Sequence, residues 1–127
     1  MGVRLTIDAN QRLVVSTYYG EINESEILGQ MSLIRCHPDF DPTFSEIVDF
    51  SEVTGGKLST SAIQALSRRV SVFKPTSMHV VIAPQAHIFG LARMSEVFAE
   101  KTKPNFVVVR TSNEARELLR LEKAGLD

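Results

Sequence analysis

Cysteine is almost missing from this chain: Cys36 stands alone among 127 residues. An internal disulfide is therefore excluded, and a reducing compartment, the cytoplasm, is expected. Cys36 reads as a half-buried small apolar residue, because a reactive thiol needs a base beside it and His37 points elsewhere on a helix. A charge excess is lacking too. Fourteen basic side chains face fifteen acidic ones. That balance leaves no global field to draw in nucleic acid or an anionic membrane surface. No apolar run approaches the length of a membrane span. The opening stretch MGVRLTIDAN goes straight into alternating residues and carries no signal-peptide core.

Metal and nucleotide signatures are missing as well. His37, His79 and His87 fall on three different elements with no HxxxH or HExxH pairing, so no metal is expected. Gly55-Gly56-Lys57-Leu58-Ser59 is a poor phosphate loop. Ser51 stands where the first glycine is needed, and Leu58 follows the lysine in place of Ser or Thr. The two glycines more simply permit a tight turn. No cofactor is expected.

What is present is alternation and helical spacing. Hydrophobic residues make up 43% and charged residues 23%, ordinary for one globular domain over residues 1–127. Val3, Leu5 and Ile7 alternate with Arg4, Thr6 and Asp8, which predicts a half-exposed strand. Ala9-Asn10 reads as a tight turn, since Asn tolerates positive φ. A second strand is predicted over 11–19. Its consecutive Leu13, Val14 and Val15 place it further inside the sheet, and Gly20 ends it. Asn23 and Glu26 form a capping box for a first helix, with Ile27, Met31 and Ile34 as its stripe and Pro38 as its stop. PDFDPTF reads as a loop.

A third strand is expected over 44–50, then the loop SEVTGGK, then a second helix capped by Ser59. Residues 78–83 form a continuous apolar run broken only by His79, the pattern of a strand covered on both faces. His79 reads as a hydrogen-bonded core histidine. A third helix is predicted over 85–102, a fifth strand over 106–109, and a last helix capped by Ser112 with Ala115, Leu118 and Leu119 inward. The order is β-β-α-β-α-β-α-β-α. Strands alternating with helices pair in parallel, and the opening hairpin adds an antiparallel edge. The expected fold is α/β, with a five-stranded mixed sheet and four helices.

Taken together, the order, the length and several strings resemble the SpoIIAA-like proteins, the STAS/SEC14 group. The strings are Tyr18-Tyr19-Gly20 at the end of the hairpin, PDFDPTF with IVDFSEVT after it, and FGLARMSEVF late in the chain. The resemblance covers nearly the whole chain. It implies a small stand-alone domain related to anti-sigma-factor antagonists, which a kinase phosphorylates on a serine in an Asp-Ser-Ser-Gly string. By position the matching string here is Leu58-Ser59-Thr60-Ser61, where both the acidic residue and the glycine are missing. Ser59 thus stands either as a helix cap alone or as a phosphorylation switch. The implied partners are an anti-sigma-factor-like protein or kinase, or a small apolar ligand of the kind lipid carriers hold.

In open α/β sheets, ligands gather beyond the carboxyl ends of the strands. That rim would collect Asp49, Ser51, Thr54, Ser59, Gln85, His87, Arg110 and Thr111. Asp49 reads as the one charge inside an apolar strand. It either accepts hydrogen bonds from the amides of SEVTGGK or contacts a ligand. A triad of Ser59, His87 and Asp49 can be written down, but no Gly-x-Ser-x-Gly elbow supports it. The third helix carries more apolar residues than one stripe needs, Phe89, Met94 and Phe98 among them. They would form a homodimer face, a lid over an apolar cavity, or an ordinary contact with the last helix. The functional expectation is a non-enzymatic regulatory or protein-interaction module. The alternative is a carrier or sensor with a small apolar ligand beneath the third helix.

Overall fold

The computed structural model describes residues 2–56, 73–74, 76–86, 88–90, 93 and 105–126, and of residues 22, 24, 28, 56 and 121–126 it describes the backbone alone. Five strands form one sheet, laid side by side in the order of the sequence. β1 (Gly2–Asp8) pairs antiparallel with β2 (Leu13–Ile22), from Gly2 opposite Tyr19 to Asp8 opposite Leu13. β3 (Ser45–Gly56), β4 (His79–Ile82) and β5 (Phe106–Val109) follow, each parallel to its predecessor. The mixed five-stranded sheet and the edge hairpin are as the pattern predicts. The apolar run around β4 does lie inside the sheet, between β3 and β5.

The hairpin turn differs from expectation. It takes four residues, 9–12, and its positive-φ residue is Arg12 at φ 54, not Asn10. Asp8 explains this. Its Oδ1 accepts from the amides of Asn10 at 2.9 Å and Gln11 at 3.2 Å, so the side chain shapes the turn. Gly20 does not end β2 either. It adopts φ 73, which glycine tolerates at little cost, and sits where the register with β3 shifts.

SEVTGG is strand rather than loop. β3 is 12 residues long and β2 is 10, and the extra residues are taken up at two register shifts, between Thr17 and Tyr19 and between Gly20 and Glu21.

Helix α1 (Glu24–Cys36) begins at the predicted cap. Asn23 has extended backbone, its Oδ1 accepts from the Glu26 amide at 3.0 Å, and its Nδ2 donates to Glu26 Oε1 at 3.2 Å. Its buried stripe is Ile27, Gln30 and Ile34, with Met31 only half-buried. Cys36 is exposed, which corrects the half-buried reading. Two residues past Ile34 lies roughly 200° around the helix, on the outer side. The closing helix, α2 (Ser112–Leu126), is capped by Thr111 rather than Ser112: the Glu114 amide donates to Thr111 Oγ1 at 3.2 Å, and that hydroxyl donates to Glu114 Oε1 at 3.0 Å. The helix predicted from Ser59 lies outside the described residues. Of the third predicted helix, residues 86, 88–90 and 93 are described and helical.

Alternation along the strands divides the core into two faces. On one, Tyr18, Val48, Phe50, Val81 and Val108 pack against Ile27 of α1 and against Ile88. Val14, Ile34, Phe44 and Phe73 extend that layer toward the start of the parallel strands. On the other, Ile47, Val80, Ile82 and Val109 meet Ala115 and Leu119 of α2, with Leu118 half-buried beside them. Each fully buried aliphatic side chain contributes roughly 1.5–3 kcal/mol.

Candidate functional site

β3 outlasts β4, and this shapes the rim. The last paired residues are Asp49 and Ile82, so β3 from Phe50 onward has no β4 residue beside it. Backbone groups on that flank need other partners. Gln85, just after β4, supplies one: its Nε2 donates to the carbonyls of Phe50 at 3.1 Å and Val53 at 3.0 Å. Its Oε1 is buried with no hydrogen-bond partner among the described residues.

Asp49 serves the same stretch from the other side. Thr17 is opposite Asp49 but Tyr19 is opposite Glu52, so two β3 residues face Tyr18 alone. A bulge leaves one residue unpaired in the ladder. Asp49 Oδ1 accepts from that amide at 2.8 Å. This agrees with the reading that Asp49 holds the backbone after it, although that backbone is a bulged strand rather than a loop. Ser51 and Thr54 are exposed. Glu52 is exposed as well and pairs with Arg4, which also lies against the Tyr19 ring.

Across the rim, Arg110 is exposed and its guanidinium carbon stands 4.0 Å from the Phe89 ring centroid. Phe89 is half-buried and packs against the core layer that holds Ile88. Thr111 is engaged as the cap of α2. Asp49 and Ser51 therefore touch, and Gln85 reaches the same bulge. Ser59, Thr60 and His87 lie outside the described residues, as do Met94 and Phe98 of the expected dimer or lid face. Among the described residues no group of three His, Cys, Asp or Glu is placed to hold a metal ion. No helix among them is long and apolar enough to cross a membrane.

The most buried polar groups lie elsewhere. Asp49 is not the one charge within its strand, because Glu46 is there too and is only 1% exposed. Glu46 is in register with His79, and its Oε1 stands 2.9 Å from His79 Nδ1. A proton must lie between the two atoms. An edge-on Phe73 ring at 4.9 Å and a stacked Phe106 ring at 6.4 Å enclose the imidazole. His79 Nε2 has no hydrogen-bond partner among the described residues. His79 is thus a hydrogen-bonded core histidine, as its place in an apolar run suggests. The signal for its partner was the alternation that puts Glu46 on the same face as Val48 and Phe50. From α1, Gln30 Nε2 donates to the buried Ser16 Oγ of β2 at 2.9 Å, a second internal polar contact that the apolar pattern hides.

Compared with known families and curated proteins, the chain matches no family model and no curated protein.

Proposed function

We propose that the protein works by binding, as a STAS-like regulatory or protein-interaction module. The observation that carries this reading is the engagement of three of the rim's described polar side chains in the fold itself. Asp49 holds the Ser51 amide, Gln85 holds two β3 carbonyls, and Thr111 caps α2. A general base or nucleophile must instead reach a reacting atom. The exposed hydroxyls of Ser51 and Thr54, with Glu52 between them, offer hydrogen-bonding surface to a partner. The family resemblance of the hairpin, the PDFDPTF loop and IVDFSEVT supports the same reading.

The test is a turnover screen with esters, phosphoesters, peptides and glycosides, run on the wild-type chain and on Asp49→Asn. The expected result is no turnover that depends on Asp49. Turnover abolished by Asp49→Asn would overturn the proposal. Native mass spectrometry of protein from cells adds a second arm: a retained lipid-sized mass would favour the carrier reading.

A further inference from the structure

No further inference is drawn: the strongest candidate, the buried Glu46–His79 pair on the α1-covered face of the sheet, leaves His79 Nε2 without a hydrogen-bond partner among the described residues, and nothing in the structure shows what reaches it.

Discussion

Removing one member of the Glu46–His79 pair should cost far more than its single 2.9 Å contact suggests. Both side chains are essentially excluded from water, at 1% and 0% exposure. His79→Leu keeps volume in β4 but takes from the buried Glu46 carboxyl the imidazole at its Oε1. Taking one partner from a buried polar group in this way costs about 1–3 kcal/mol. Glu46→Leu leaves the buried imidazole Nδ1 without its partner, which costs about 1–3 kcal/mol. A domain of this kind has only about 5–15 kcal/mol in total, so the histidine variant alone takes a large share. The double variant Glu46→Leu/His79→Leu removes both polar groups and puts apolar surface in their place. Glu46 has a further interaction besides this one, and the double variant still loses it. Even so, its loss should be at least about 1 kcal/mol smaller than the sum of the two single losses, a coupling within the range for residues in contact. Urea denaturation followed by circular dichroism measures all four proteins. Additive losses, within about 0.5 kcal/mol, would refute the view that the two residues form one buried unit.

Two smaller effects follow from local contacts. Asn23→Ala removes the side chain that accepts from the Glu26 amide and should lower stability by about 1 kcal/mol, read from thermal unfolding. Asp41 has its pKa lowered, first by the Thr43 hydroxyl bonded to it and then by the Thr43 amide. A lowered folded pKa stabilises the fold above the ordinary aspartate value, and that contribution fades as pH falls through the lowered one. Thr43→Val should therefore move the Asp41 titration upward in a carboxyl-detected NMR experiment, while an unmoved midpoint would assign the shift to some other group.

Much of the sheet was legible because its signals are local. The alternation of Val3, Leu5 and Ile7 marks β1, and the apolar run at β4, broken only by His79, marks an interior strand. Asn23 with Glu26 marks the start of α1. What was not legible is what depends on distant partners. Gly55 and Gly56 read locally as a turn, yet they extend β3 because Glu21 and Ile22 lie opposite them. Thr111 and Ser112 are adjacent hydroxyl residues, and only the geometry at Glu114 distinguishes the cap. The Glu46–His79 contact joins residues 33 apart and exists only once β3 and β4 are in register. The rim was legible in part: Asp49's role was among the readings its position allowed, but Gln85's bonds to β3 depend on where β4 stops.

Asp49 Oδ1 accepts from the Ser51 amide at the bulge of β3. Hydrogen exchange at the Ser51 amide tests this contact most directly, in the wild-type chain and in Asp49→Ala. The structure predicts slow exchange in the wild type and a marked acceleration at Ser51 in the variant, with the β4 amides still protected. Equal exchange at Ser51 in both proteins would contradict it, and would leave the Asp49 carboxylate available for some other task.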